Sequence, residues 1–239
     1  MAEGGKILAR ARRLMAEAVR PGITTLELDA IGEKVIRDAG AIPAFQQVSG
    51  YKHATCININ EVVVHGIPTD YVIKDGDKVA IDVGVLWKNL NTDGAVSVIC
   101  GDRPSKFLET AKGAWRRAIK LAVPGNTIWD LSNAMQEPLE KAGYSAVRAL
   151  TGHGIGKKLH EEPSIPCFTV GERKFSERIV PGMALAIEIM ANEGVSDVAY
   201  KNDDGWTIVT ADGKISALFE ETVAVTSSGS YILTQEKNR

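Results

Sequence analysis

One helix-forming pattern occurs twice in this sequence, 103 residues apart. Each copy starts with Pro-Gly, places a threonine two residues further on where it can cap a helix, and ends at Ala-Gly, which favours helix termination. The matching residues are Pro21, Gly22, Thr24, Leu28, Ala39 and Gly40 in the first copy and Pro124, Gly125, Thr127, Leu131, Ala142 and Gly143 in the second. The repeat predicts a chain made of two related halves.

A strand that ends in an acid also occurs twice. Gly76–Asp82 reads Gly-Asp-Lys-Val-Ala-Ile-Asp, and Gly182–Glu188, which follows 106 residues later, reads Gly-Met-Ala-Leu-Ala-Ile-Glu. A carboxylate among Val, Ala and Ile is costly to ionise unless it meets a cation. The two acids therefore predict a charged ligand between the halves. Chance similarity explains the helix pattern better than it explains this one.

The segment after Asp82 predicts a hairpin that turns at Lys88 and Asn89. Its return strand is expected to bring Asp93 within about one residue pair of Asp82, where cross-strand Cβ atoms are roughly 4.5 to 5.5 Å apart. Two carboxylates so placed either share a proton or bind a metal ion. From the hairpin alone, a solvated turn residue at one of the two positions is an equally good interpretation.

A glycine-rich loop carries His153 and His160. The glycines around the first histidine allow the backbone to approach a ligand closely, which is typical of a binding site. A tight turn with two surface histidines is the alternative. The last strand, Ser216–Thr226, adds Glu220 and Glu221, which point to opposite faces, so that only one of them can face a site.

A set of four carboxylates and one imidazole provides the candidate metal ligands. They are Asp82, Asp93, His153, Glu188 and Glu220. Hard or borderline divalent metal ions suit such oxygen-rich ligands, and the absence of thiolates argues against a structural zinc site. The set has room for two ions, which at a separation of roughly 3.5 to 4 Å would activate a water molecule for hydrolysis.

Short motifs along nearly the whole chain resemble, in order, those of type I methionine aminopeptidases. They are Asn60–Pro68, Ile81–Val83, Thr92–Asp93, Gly152–Pro163, Ile187–Glu188 and Phe219–Glu220. The Gly-His-Gly-Ile-Gly and His-Gly-Ile-Pro segments are highly specific together. The resemblance implies an α/β (α+β) pita-bread fold: a single catalytic domain over residues 1–239, with pseudo-symmetric halves of about 1–120 and 121–239. A mainly antiparallel curved sheet covered by helices would form it.

The resemblance also implies two divalent metal ions per chain, with Co, Mn, Fe and Zn all compatible. Asp82 would bind one ion, His153 and Glu188 the other, and Asp93 and Glu220 both. The residues that would contact the substrate are His65, His160, Tyr51, Cys56, Leu159 and Trp206. For the last four, core packing is an equally good interpretation. The residues that would bind a monovalent cation are Asn60, Val62 and Ser216.

The activity implied is removal of the initiator methionine from nascent polypeptides whose second residue is small. A hydroxide that bridges the metal ions would attack the methionyl carbonyl while Glu188 shuttles the proton. His160 would stabilise the oxyanion, and His65 would contact the scissile amide. A free α-amine could ligate one metal ion, which would make the enzyme an exopeptidase.

The sequence departs from the family pattern at four places. Ile189 replaces a proline after the strand acid, Glu221 replaces a histidine after the last glutamate, and Leu159 replaces an aromatic residue. His53-Ala54 replaces a Phe-Pro type pair. None of these changes removes a ligand, so we expect them to affect the pocket shape, the metal preference and the turnover more than the reaction class.

Two other classes share this fold. Proline-specific aminopeptidases and creatinase-like hydrolases use the same metal ligands, but they resemble this chain less and usually carry a further N-terminal domain. A non-catalytic binding protein of this fold would have lost ligands, whereas all five positions here are acidic or histidine. We therefore expect an active peptidase.

Composition and net charge limit the cellular compartment and the binding partners that we expect. The net charge of -2 gives no general reason to bind nucleic acid, and the three cysteines, without a C-x-x-C pair, fit a reducing cytoplasm. No run is apolar and long enough to span a membrane. The first helix is expected to be amphipathic with a basic solvated face that includes Arg12, and no additional module is expected before the catalytic unit.

We expect a monomer that acts on peptide substrates. Contact with the ribosome would use basic residues of the body. These are Lys106, Lys112, Arg116 and Arg117. A solvated helix face is the favoured interpretation of these four residues.

Overall fold

Four α-helices and three β-sheets are present in residues 1–101, 103–201 and 204–235, which the computed structural model describes. The helices are α1 (Ala2–Ala18), α2 (Thr25–Asp38), α3 (Lys106–Leu121) and α4 (Ile128–Lys141). The strands are β1 (Ile42–Pro43), β2 (Thr55–Ile59), β3 (Val62–Val64), β4 (Lys78–Trp87), β5 (Leu90–Ile99), β6 (Ser145–Ala146), β7 (Thr151–Gly154), β8 (Glu161–Pro166), β9 (Ala184–Asn192), β10 (Val198–Tyr200), β11 (Ile208–Thr210), β12 (Ser216–Thr226) and β13 (Gly229–Ile232). None of the helices in these ranges has the length and apolar character that a membrane span requires.

Every pair of neighbouring strands in these sheets is antiparallel. The first sheet has the order β1-β4-β2, and β5 also pairs with β4. The second has the order β13-β12-β9-β7-β8, and β6 also pairs with β9. A small sheet of order β10-β11-β3 completes the set. The predicted α/β fold with mainly antiparallel sheets is confirmed.

The repeated helix pattern forms the same cap in both halves. Thr24 and Glu27 form a reciprocal capping box at the start of α2, and Thr127 and Asp130 do the same at α4. Glycine follows each helix in the left-handed region, as the pattern predicts. Gly76 and Gly182, which precede β4 and β9, also share this conformation, with φ of 89° and 98°. The two halves are therefore pseudo-symmetric. That one domain spans 1–239 stays a prediction.

Strands β5 and β12 join the two halves. The main-chain N–H of Asp93 donates to Oγ1 of Thr222, and this hydroxyl donates to the Asp93 carbonyl, both at 2.8 Å. Ser97 bridges the same two strands through Leu218. Its hydroxyl accepts from the Leu218 N–H at 3.0 Å and donates to the Leu218 carbonyl at 2.8 Å. Side-chain hydroxyls thus replace a main-chain ladder here and hold Asp93 beside the strand that carries Glu220.

The helices cover only one side of the sheets. Helices α3 and α4 pack on β9 and β12 around Trp115 and Phe219, whose rings stack at 5.9 Å. Helices α1 and α2 pack on β4 through an apolar cluster that includes Leu8, Met15 and Leu28. Because side chains alternate along a strand, the residues between these core positions point to the uncovered side. The acids that the sequence singles out lie at such positions.

Candidate metal centre and substrate cavity

The hairpin of β4 and β5 delivers Asp82 and Asp93. Its turn lies at Lys88 and Asn89, as predicted, with φ of 48° and 63°. Asp82 pairs with Ala95, so Asp82 and Asp93 lie two ladder positions apart on the same face. The predicted separation of about one residue pair is therefore wrong. The two-residue turn pairs the strand ends directly at its base, and this fixes the register of the whole hairpin.

Strands β9, β12 and β7 deliver the other three side chains. Glu188 and Glu220 are directly opposed partners in the ladder of β9 and β12. His153 on β7 pairs with Ala186, two residues before Glu188, and therefore shares its face. Gly152 permits this close approach, since a Cβ there would lie 2.6 Å from the carbonyl oxygen of Ala186.

The hydrogen bond of His153 prepares its ring as a metal ligand. Nδ1 lies 2.9 Å from the carbonyl oxygen of Gly154. Because a carbonyl oxygen only accepts, Nδ1 carries the proton and Nε2 keeps its lone pair. Burial lowers the pKa of His153 to about 4, so the ring is neutral at neutral pH, as metal binding requires.

The donor set fits divalent cations. Ligand atoms of Asp93, His153 and Glu220 lie within 4.8 Å of one another. One oxygen of Asp82 (Oδ1) and one of Glu220 (Oε1) are buried without a hydrogen-bond partner. Such atoms are rare and indicate an additional group that they bind.

The electrostatics of the acids support the same conclusion. Burial, and then the neighbouring carboxylates, raises the pKa of Asp82 and Glu220 well above the usual range. Burial raises the pKa of Asp93 to about 7, and burial with the charge of Asp93 raises that of Glu188 to about 8. Buried acids this close cannot all ionise unless cations compensate their charge. The four carboxylates therefore fit a cation-binding centre.

A cavity of about 130 Å³ opens above this centre. It is lined by all five predicted metal ligands and by all six predicted substrate-contacting residues. These are Asp82, Asp93, His153, Glu188 and Glu220, together with His65, His160, Tyr51, Cys56, Leu159 and Trp206. Phe45, Val48 and Val64 also line it and were not predicted. The only sequence signal for them is their apolar character, which core packing explains equally well.

Aromatic side chains form one wall of the cavity. The ring of Tyr51 makes edge contacts with Trp206 at 5.1 Å and with Phe45 at 6.5 Å. The Tyr51 hydroxyl donates to the carbonyl of Thr55 at 2.8 Å, which fixes the ring. Burial raises the pKa of Tyr51 and of Cys56, so both are neutral and the wall is apolar.

Two further histidines face the cavity. His160 lies against His153, with ring centres 4.4 Å apart, and is more exposed than His153. His65 follows β3 with a left-handed backbone, φ 57°, which is uncommon for a residue other than glycine. Burial lowers the pKa of both His65 and His160, so both are neutral hydrogen-bonding groups near pH 7.

The departures from the family pattern have structural partners. Glu221 points away from the cavity and accepts from Arg12 Nη2 at 2.7 Å. The prediction of a solvated basic face on α1 is therefore wrong for Arg12, whose side chain is only 12% exposed. Ile189 is fully buried in the core, and Nδ1 of His53 lies 3.3 Å from Asp29. Leu159 lines the cavity.

The residues expected to bind a monovalent cation lie around the contact between β3 and β12. The N–H of Ser216 donates to the carbonyl of Asn60 at 3.0 Å. The carbonyl of Val62 accepts from Nζ of Lys78 at 3.0 Å. A protein cation thus already occupies part of this group.

The antiparallel two-half fold and the acid cluster beneath a cavity define a metal-dependent hydrolase. The model of metallopeptidase family M24 matches residues 1–227. The chain therefore belongs to metallopeptidase family M24, which confirms the expected use of a divalent metal.

Individual relatives agree with this assignment. The chain is 43% identical over 237 residues to a methionine aminopeptidase of Clostridium perfringens, covering 98% of this chain and 94% of the relative. It is 40% identical over 238 residues to methionine aminopeptidase 1 of Bacillus subtilis, covering 98% and 95%. The crystal structure of a methionine aminopeptidase from Thermotoga maritima superposes with a TM-score of 0.94 at 38% identity, covering 99% of this chain and 95% of that chain. The resemblance to methionine aminopeptidases is confirmed.

The proline-specific alternative has weaker support. A prolidase from Pyrococcus furiosus superposes with a TM-score of 0.78 at 24% identity, and only 63% of that chain is covered. At this identity the likeness shows the shared pita-bread fold alone.

Proposed function

We propose that this chain is a methionyl aminopeptidase that removes the initiator methionine from nascent polypeptides with a small second residue. The observation that carries the proposal is one cavity whose floor is the acid cluster and whose wall is apolar and aromatic. At such a floor a free α-amine could ligate a bound metal ion, whereas an internal peptide bond offers no free amine. The cavity therefore favours an exopeptidase over an endopeptidase.

The metal centre that we infer contains two divalent ions. Asp82 would hold one ion, His153 and Glu188 the other, and Asp93 and Glu220 would be shared between them. When bound, such ions supply Lewis acidity and an activated water molecule at neutral pH. Mn, Fe, Co and Zn all suit this oxygen-rich set, and cellular supply decides among them.

The protein's own residues position the substrate and handle protons. Glu188 lies at the edge of the cavity, half-buried, where its carboxylate can take a proton and return it to the leaving amine. His160 stands beside His153 on the open side and would donate to the methionyl carbonyl oxygen as negative charge develops. His65, across the same cavity, would contact the scissile amide.

The apolar wall would select the methionine side chain. Tyr51, Cys56, Leu159 and Trp206 form a soft, polarisable surface against which a thioether packs well. Because burial keeps Tyr51 and Cys56 neutral, the wall is apolar, and a charged side chain would lose its hydration there without gaining a partner. Because nascent polypeptides are its proposed substrate, we infer that the enzyme acts in the cytoplasm. We also infer that it is a monomer.

Hydrolysis of four peptides tests this function. Metal-stripped enzyme is assayed on Met-Ala-Ser, Met-Lys-Ser, Leu-Ala-Ser and Ala-Pro-Ser, with and without added Mn or Co. We expect metal-dependent release of methionine from Met-Ala-Ser alone. Release of alanine from Ala-Pro-Ser would assign the chain to the proline-specific class, and no release with any metal would indicate a binding protein that has retained its ligands.

A further inference from the structure

Lys78 is among the largest fully buried side chains of the described residues. It begins β4, and its ammonium Nζ donates to the carbonyl oxygen of Asn58 at 3.1 Å and to that of Val62 at 3.0 Å. Within residues 1–101, 103–201 and 204–235, no carboxylate lies within salt-bridge distance of it. The neighbouring acid Glu61 is paired instead with Lys201 at 2.8 Å. A lysine buried in this way is rare and requires an explanation.

Main-chain carbonyl oxygens are the ligands that bind a potassium or sodium ion inside a protein. An ammonium group has the same charge and makes the same type of contact. Lys78 therefore presents to Asn58 and Val62 what a bound alkali ion would present. The cost of burying its charge is offset by these two charge-assisted hydrogen bonds.

The monovalent cation that the family resemblance implies would bind in the same region. Of the three residues expected to bind it, Val62 has its carbonyl engaged by Lys78, and Asn60 has its carbonyl engaged by the N–H of Ser216 at 3.0 Å. The side chain of Asn60 is also engaged, because its Oδ1 accepts from the Lys78 N–H at 2.9 Å. An alkali ion bound by these residues would share the Val62 carbonyl with the Lys78 ammonium, and the two like charges would repel each other.

We propose that the Lys78 ammonium is a built-in monovalent cation, which takes the place of an alkali ion in this chain. The protein then needs no bound potassium or sodium for its structure. The position has consequences for the cavity, since Asn58 also accepts from the N–H of Gly66 through Oδ1 at 2.8 Å. Lys78 thus steadies Asn58, and through Gly66 the backbone next to His65.

Thermal unfolding of the metal-stripped protein tests the proposal without use of activity. The wild type is melted at about pH 6.5, below the pKa of about 7 to which burial lowers Lys78, so that the ammonium is charged. The salts are potassium, sodium and choline chloride at equal ionic strength. We expect one melting temperature in all three. A saturable rise with potassium or sodium over choline would overturn the proposal.

The variant Lys78→Ala supplies the complementary arm, because alanine removes the charge and leaves room for an ion at the position of Nζ. We expect a lower melting temperature in choline that rises with the logarithm of the potassium or sodium concentration, since an ion that binds only the folded state stabilises it. A folded variant without this response would also count against the proposal. If the variant does not fold in any salt, the wild-type series decides alone.

The matched control is Lys74→Ala, four positions earlier on the surface. It removes the same charge from the same segment and is expected to show no ion-specific response. The result is independent of the peptide specificity, since no substrate or divalent metal is present. Failure here therefore leaves the proposed peptidase function untouched.

Discussion

Arg12 is the residue of α1 that donates a hydrogen bond to the Glu221 carboxylate. Replacing it by methionine removes this donor and its positive charge. Arg12 donates to Oε1 of Glu221 at 2.7 Å and to the carbonyls of Glu220 and Thr234, each at 2.9 Å. The side chains of the pair are 12% and 9% exposed, so water cannot replace the lost partner. A buried pair broken on one side costs about 3 to 5 kcal/mol because a charge is left uncompensated. We expect Arg12→Met to lower the free energy of unfolding by this amount.

Urea unfolding of the metal-stripped protein at neutral pH measures the loss. The control is Arg13→Met, the next residue, which pairs with Glu17 at 2.9 Å on the exposed side of α1. An exposed pair of this kind contributes only about 0 to 1 kcal/mol. The two variants thus compare the same substitution at a buried and at an exposed position of one helix.

The double variant Arg12→Met with Glu221→Gln decides between a charge effect and lost packing. If the unpaired Glu221 charge causes the loss, neutralising it must recover part of the stability, although Glu221→Gln alone destabilises the wild type. A second substitution that destabilises the Arg12→Met protein further would refute this reasoning. The loss would then come from the packing of the arginine stem, and Glu221 would tolerate burial without Arg12.

Four further outcomes are expected. Glu188→Gln should abolish peptide hydrolysis, while the exposed control Glu162→Gln should leave it unchanged. His160→Ala should lower the turnover of Met-Ala-Ser with the metal content unchanged, and loss of metal in elemental analysis would mean that His160 is a ligand. Trp206→Ala should raise KM for this peptide more than it lowers kcat, because it removes the ring that packs on Tyr51 at 5.1 Å. Finally, burial raises the pKa of Glu188 to about 8, far above its value of about 4.3 in an unfolded chain. The metal-stripped protein should therefore lose stability as the pH rises from about 5 to about 8 in urea unfolding, and divalent metal should restore it at the higher pH.

The local signals of the sequence were sufficient to predict the elements that carry the candidate ligands. Thr24 and Thr127 cap their helices, Lys88 and Asn89 form the turn, and Ser216–Thr226 is a strand with the predicted bounds. Each of these features depends on residues close together in the chain. Alternation within a strand then placed the acids on one face without knowledge of the tertiary structure.

Arg12 and Lys78 show what the sequence did not reveal. Both look like ordinary charged residues, one on a basic helix face and one at a strand start, and both are buried because distant segments close over them. The partner of Arg12 lies 209 positions away, and the carbonyls that hold Lys78 belong to β2 and β3. Burial of a charge depends on such long-range pairing, which no local pattern records.

The proposed metal ligands are divided between the halves, and this division would link metal binding to folding. Asp82 and Asp93 come from the first half, whereas His153, Glu188 and Glu220 come from the second. Hydroxyl bridges between β5 and β12 bring the two groups together and thereby concentrate negative charge in a buried space. Without cations, closure of the two halves raises the pKa values of these acids and so opposes their ionisation. With cations, the same closure would complete their coordination. We therefore expect metal binding to stabilise the junction between the halves, and a change that loosens this junction to weaken metal binding by at most the same free energy.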